Sequence, residues 1–144
     1  MIILDTNVLS EVMREAPSPQ VLMWLSGQEP ARLWTTAVSQ AEIMVGITVL
    51  PPSRKRAALA SAAQHMFKED FADRIVPFDQ AAASWYADVM AHCRRVGRPI
   101  KAFDGLIAGI ARARGAAVAT RDILHFRDCG LTLHDPWQEG GTSA

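Results

Sequence analysis

The chain opens on Ile2-Ile3-Leu4, a short run with no polar residue, cut off at once by Asp5-Thr6-Asn7. An apolar run of this kind, stopped by residues that cap helices, reads as a buried strand followed directly by a helix start. The same succession recurs along the chain. Arg32 to Thr35 reads as a second strand, with a helix starting at Thr36 or Ser39 and running to about Val49. Arg74 to Phe78 supplies a third, followed by a long helix capped by Asp79 and reaching Val96. Ala116 to Ala119 is a fourth, and Leu131 to Leu133 a short last one. Further helices are expected over Val8 to Arg14, from a Ser18 cap with Pro19 in the first turn, from Ser53 to about Ala72, and from about Asp104 to a stop at Gly115. Strands alternating with helices predict a three-layer α/β/α domain with a mainly parallel central sheet of four to five strands. No internal repeat or linker divides it, so residues 1–138 are expected to form one domain and 139–144 a frayed tail.

The bulk composition removes several function classes. With 49% apolar and 21% charged residues in 144, the chain can bury a real core and is not of the disordered class. No apolar run approaches the ~20 residues of a membrane span, and Asp5 interrupts the start too early for a secretory signal. A cytoplasmic location is the expectation. Cys93 and Cys129 have no metal-ligand spacing and read as free thiols. Formal net charge is zero, so bulk electrostatics gives no reason to expect tight binding to nucleic acid.

Four acids stand apart: Asp5, Glu42, Asp104 and Asp122 each follow an apolar strand-like run or begin a helix. A parallel sheet gathers such positions along one edge, whatever their separation in sequence. Four carboxylates held together repel by roughly 4 kcal/mol per close pair at an effective dielectric near 20. Divalent cations would offset that repulsion, so the pattern predicts a metal site and, through it, a hydrolytic enzyme. Each acid also has a plainer reading. Asp5 and Asp104 suit helix N-caps, and Thr6 or Asn7 could cap in place of Asp5. Asp122 suits a first-turn acid, and Ser39-Gln40-Ala41-Glu42 matches a capping box. Against the last stands the bearing Glu42 shares with Val38, Val45 and Val49, a stripe on which an unpartnered carboxylate would be costly.

With these residues in view, the chain resembles a PIN-domain ribonuclease, of the VapC-type and FitB-like branch found as toxins of type II toxin–antitoxin pairs. The resemblance runs from Met1 to Trp137. It is carried by Ile3-Leu4-Asp5-Thr6-Asn7, by Ala41-Glu42-Ile43 with Gly46, and by Ala102-Phe103-Asp104-Gly105-Leu106-Ile107-Ala108. Ala119-Thr120-Arg121-Asp122 with Phe126, and the closing Asp135-Pro136-Trp137, complete it. It implies that Asp5, Glu42, Asp104 and Asp122 form the catalytic metal site, with Thr6, Asn7 and Thr120 as hydrogen-bonding support.

All-oxygen ligands select hard cations, so Mg2+ or Mn2+ is expected. Such an ion would acidify a water and orient it towards a phosphodiester. Attack by water rather than by the neighbouring 2′-hydroxyl leaves 5′-phosphate and 3′-hydroxyl ends. Arg98, Lys101 and Arg121, nearest the acids in sequence, are candidates for holding substrate phosphates. His125 lies closest to Asp122 among the histidines. The resemblance further implies a structured RNA substrate such as transfer RNA, a small DNA-binding antitoxin, and a homodimer, with Trp85 and Tyr86 as contact candidates. Surplus apolar side chains on the early helices, Val12, Met13, Leu22, Met23, Trp24 and Leu25, would be core or an antitoxin groove. The competing readings are another Mg2+-dependent phosphoryl-transfer enzyme and a catalytically idle domain that binds RNA or a partner. Asn7 speaks against an aspartyl phosphatase signature, and all four acids being present speaks against the idle domain.

Overall fold

The computed structural model describes residues 1–140. Five strands form one parallel sheet: β1 (Ile2–Leu4), β2 (Leu33–Thr36), β3 (Ile75–Val76), β4 (Ala117–Ala119) and β5 (Leu133–His134), in the order β3-β2-β1-β4-β5. Around it lie α1 (Thr6–Val12), α2 (Pro19–Ser26), α3 (Ala37–Thr48), α4 (Arg54–His65), α5 (Gln80–Arg95), α6 (Ala102–Arg114), α7 (Ile123–Phe126) and α8 (Pro136–Glu139). The expected α/β architecture and its parallel sheet are what the chain adopts.

β1 shows why its three residues are all apolar. Ile3 faces one layer, packed with Val118, Val89, Ile107, Ile110 and Phe126. Ile2 and Leu4 face the other, packed with Val8, Leu9, Val21, Trp24, Ile43 and Met66. A central parallel strand is covered on both sides and has no polar face. Each of these fully buried aliphatic side chains contributes roughly 1.5–3 kcal/mol of transfer free energy.

Helix α6 lies against α5 closely enough that a side chain at Gly109 would force the backbones apart. A methyl group at that position would stand 2.8 Å from the Ala82 carbonyl and 2.9 Å from the Tyr86 amide. Tyr86, a candidate dimer contact by sequence, thus packs its backbone into this helix pair. Its neighbour Trp85 carries the Arg112 guanidinium 4.3 Å from the ring centre.

Several boundaries differ from the sequence reading, each for a local reason. α1 opens at Thr6, two residues earlier than expected, because Asp5 caps it, as its plainer reading had it, with its carboxylate accepting the Thr6 amide at 2.8 Å. Thr36 caps α3 by accepting the Ser39 amide at 3.0 Å, so the Ser39–Glu42 capping box does not form. The helix expected to run from Ser53 to Ala72 is α-helical only to His65. Met66–Asp70 then form a wider π turn that seats Met66 and Phe67 in the core. The last strand begins two residues later than expected and ends one later. The frayed tail does not begin at Glu139, which closes α8 with its carboxylate on the Asp135 amide at 2.6 Å. The rest of that tail, 141–144, lies outside the described residues.

Candidate active site

Strand order reverses direction between β1 and β4, and the crevice outside the carboxyl ends of strands at such a point is where ligands bind in open parallel sheets. Asp5 leaves the end of β1. Thr120, Arg121 and Asp122 leave the end of β4. Glu42 comes from α3, the helix that follows β2. Asp104 sits in the first turn of α6, which runs back towards β4 and so begins at the same edge. All four acids line one open cleft of about 540 Å³, with Thr6, Asn7, Ser10, Glu11, Arg14, Arg121 and Trp137.

A hydrogen-bonded frame holds the acids in place. Asp5 is 4% exposed and accepts the Thr120 hydroxyl at 2.8 Å on the oxygen not used by Thr6. Glu42 accepts the Thr6 hydroxyl at 2.8 Å, and the Ser39 hydroxyl stands 2.9 Å from the same Thr6 oxygen. Asn7 donates to Asp122 at 3.2 Å and to Thr120 at 3.3 Å. The Asp122 amide in turn donates to Thr120 at 3.0 Å. Thr6, Asn7 and Thr120, the three expected supports, thus each bind an acid directly.

Electrostatically the cleft is under-compensated. No Lys or Arg side chain pairs with any of the four acids among the described residues. Burial pushes the Asp5 carboxyl up to about 6, against the lowering effect of its hydrogen bonds, and Asp104 and Glu42 push it further. Burial likewise raises Asp104; His125 opposes the rise and Asp122 adds to it. His125 is in place between them, its Nδ1 3.9 Å from both Asp104 Oδ2 and Asp122 Oδ2. Among the described residues, no three acidic, histidine or cysteine side chains converge as placed on a single ion position. The donor set nevertheless fits a hard divalent cation: carboxylate oxygens only, one of the acids deeply buried, and no lysine or arginine ion-paired to them among the described residues.

The phosphate-binding candidates divide. Arg121 lines the cleft, its guanidinium 5.0 Å from the Trp137 ring centre and its amide on Asn7 Oδ1 at 3.3 Å. Lys101 does not line it, although its charge reaches Asp104. Arg98 is taken up elsewhere by a two-pronged bond to Asp128, both contacts at 2.7 Å. Asp128 is held below the usual carboxylate range by that bond. The valine stripe beside Glu42 divides: Val38 packs against the core, while Val45 is 62% exposed and Val49 73%. Sequence reasoning missed Glu11, Arg14 and Trp137. Only the Glu11–Arg14 spacing of three residues could have suggested their pairing.

A PIN-domain family model matches residues 2–128. The chain belongs to the PIN-domain family. Its sequence is 37% identical over 138 residues to VapC ribonuclease Y4jK of Sinorhizobium fredii, covering 96% of this chain and 99% of the relative. It is 34% identical over 139 residues to Toxin FitB of Neisseria gonorrhoeae, covering 96% and 100%. The fold of this PIN domain matches the crystal structure of FitAcB from Neisseria gonorrhoeae with a TM-score of 0.89, at 34% identity and over 96% and 99% of the two chains. A structure of FitAB bound to a DNA fragment matches equally, with a TM-score of 0.89.

Proposed function

We propose that this PIN domain is the toxin of a toxin–antitoxin pair and acts as a Mg2+- or Mn2+-dependent endoribonuclease. One observation carries the reading: four carboxylates from four separate elements line one cleft, framed by hydroxyl and amide donors, and none of them is ion-paired to a lysine or arginine among the described residues. The names of the relatives, ribonuclease and toxin, support it.

Asp5, Glu42, Asp104 and Asp122 would hold the cation, which supplies Lewis acidity towards a phosphodiester and an acidified water. Thr6 and Thr120 keep Asp5 and Glu42 aimed into the cleft, and Asn7 does the same for Asp122. Supporting donors of this kind tune and orient ligands as much as the ligands themselves do. Arg121 holds a substrate phosphate beside the acids; Arg98, tied to Asp128, does not take that part. Hydrolysis leaves a 5′-phosphate and a 3′-hydroxyl, and the substrate class is a structured RNA such as transfer RNA. A curated relative from Shigella flexneri named as a tRNA(fMet)-specific endonuclease supports that class.

The antitoxin would be a small DNA-binding protein. A cleft of about 830 Å³ on the other side of α1, lined by Val12, Met13, Leu25, Pro30, Met66 and Phe71, offers it an apolar groove. The FitAB–DNA complex supports an antitoxin of this type. Residues 1–138 act as a single unit, as a homodimer and in the cytoplasm; no described helix is long and apolar enough to cross a membrane.

The test is 5′-end mapping of cellular RNA incubated with pure protein and Mg2+ or Mn2+, with EDTA and Asp104→Asn controls. Discrete cuts abolished by both controls are expected. Cuts that persist in EDTA, or folded protein that binds Mn2+ without cutting, would remove the reading.

A further inference from the structure

Glu11 is the one acid of the cleft that the metal reading does not use, and its position is unfavourable for stability. It is 6% exposed and lies in the last turn of α1, where the helix dipole opposes an anion. A buried carboxylate in such a place is costly unless closely partnered. Its partners are two side chains of the cleft wall. Arg14 Nη1 lies 3.0 and 3.3 Å from the two Glu11 oxygens, and the Trp137 indole N–H donates to Glu11 at 3.4 Å. The Trp137 ring in turn carries the Arg121 guanidinium. One buried carboxylate therefore ties down, directly or through an indole, the two cations of the cleft.

Both arginines keep donors to spare. Arg14 is 66% exposed and spends a single nitrogen on Glu11, leaving its other N–H groups open. Arg121 has no carboxylate partner among the described residues, and a guanidinium stacked on a ring keeps its donor edge free. Glu11 and Asp5 are six residues apart, about 9 Å of helix rise along α1, so Arg14, held at Glu11, serves a different stretch of a bound strand from Asp5, while Arg121 stands beside the acids.

We infer that Glu11, Arg14, Trp137 and Arg121 form a phosphate-binding wall. In it Arg14 and Arg121 each take a phosphate of single-stranded RNA, and Glu11 and Trp137 are positioning residues that fix their direction. The wall rests on the nuclease reading for the identity of its ligand, but its test does not need cleavage. The probe is a short fluorescent single-stranded RNA bound to the full chain in EDTA, and to Asp104→Asn protein in Mg2+, across a salt series. Each of Arg14→Ala and Arg121→Ala is expected to flatten the slope of log affinity against log salt by about 0.7, the share of one phosphate on a single strand. Lys55→Ala, on the exposed first turn of α4, leaves the slope unchanged. Trp137→Ala behaves like Arg121→Ala, whereas Trp137→Phe retains the stack and the slope; thermal melts verify folding of each variant. In an active enzyme, Trp137→Ala raises KM while kcat holds, as loss of uniform binding requires. Slopes that fall without any RNA cleavage by the parent protein would keep the wall and remove the nuclease reading. Unchanged slopes in Arg14→Ala and Arg121→Ala overturn the wall. The same result with weakened binding of an aspartate-rich peptide also overturns it, and hands these arginines to a protein ligand.

Discussion

The Thr6 hydroxyl donates to Glu42 across 36 residues of sequence, at 2.8 Å, while the Thr6 amide donates to Asp5. One residue thus holds two of the four acids, one through its backbone and one through its side chain. Thr6→Val keeps the backbone contact and deletes the other, leaving Glu42 untethered. Activity, or divalent-ion affinity measured by calorimetry, is expected to fall about 10- to 100-fold, the usual cost of losing an outer-shell partner. Thr6→Ser restores it. Parent-like behaviour of Thr6→Val would show that Glu42 is aimed by something else.

Asp5 makes the stability of the metal-free protein depend on pH. Its carboxyl is raised from 3.8 to about 6 by burial, so folding takes up a proton between those values. The stability this gives is fully present below about 4 and is lost as pH rises through about 6. At pH 8 the metal-free protein carries a penalty of at most about 3 kcal/mol from this group, at 1.36 kcal/mol per pKa unit. Asp5→Asn is expected to raise the melting temperature of metal-free protein at pH 8 and to flatten its pH dependence between 4 and 7. In the parent protein, divalent-ion affinity falls below about pH 6, where Asp5 must lose a proton to bind. A melting temperature that rises with pH over this range would contradict the assignment.

Cys93 and Cys129 are both buried, and the Cys129 thiol is pushed up to about 12 by burial, with Cys93 beside it. A thiol with so little thiolate at neutral pH is a poor nucleophile. Native protein is expected to resist a thiol-specific chromogenic reagent, and both thiols to react after unfolding in guanidinium.

Gly109→Ala would press a methyl group into the Ala82 and Tyr86 backbone. Overpacking of this sort costs about 1–3 kcal/mol, read as a lowered denaturation midpoint with the slope unchanged. Gly46→Ala, where an added Cβ meets nothing within 4 Å, is the matched control and is expected to be neutral or slightly stabilising.

The fold was legible because its signals are local. Ser18, Ser53 and Asp79 each cap the helix expected of them, and the apolar runs before Asp5 and Thr120 are strands. Asp5 and Asp122 stand out because a parallel sheet converts "just after a strand" into a common edge, whereas Glu42 and Asp104 reach that edge from the first half of a helix. What escaped was long-range pairing. Trp137 meets Glu11 across 126 residues and Asp128 claims Arg98 across 30, and nothing in the flanking sequence marks either contact. The exposure of Val45 and Val49 escaped for a related reason: a stripe on a helix shows only that one face is apolar, not that anything covers it. The π turn at Met66–Asp70 depends on seating Met66 and Phe67 together, a packing outcome without a periodic signature.

The sheet order carries a consequence for synthesis. β1, made before the other four strands of the sheet, occupies its middle, and its neighbour β4 comes more than a hundred residues later. Asp104 and Asp122 arrive with that late stretch. A ribosome that has made the first hundred of these residues has therefore supplied only two of the four acids and an unpaired central edge. If the chain is a nuclease, it cannot threaten the machinery that is making it until β4 and Asp122 have been added.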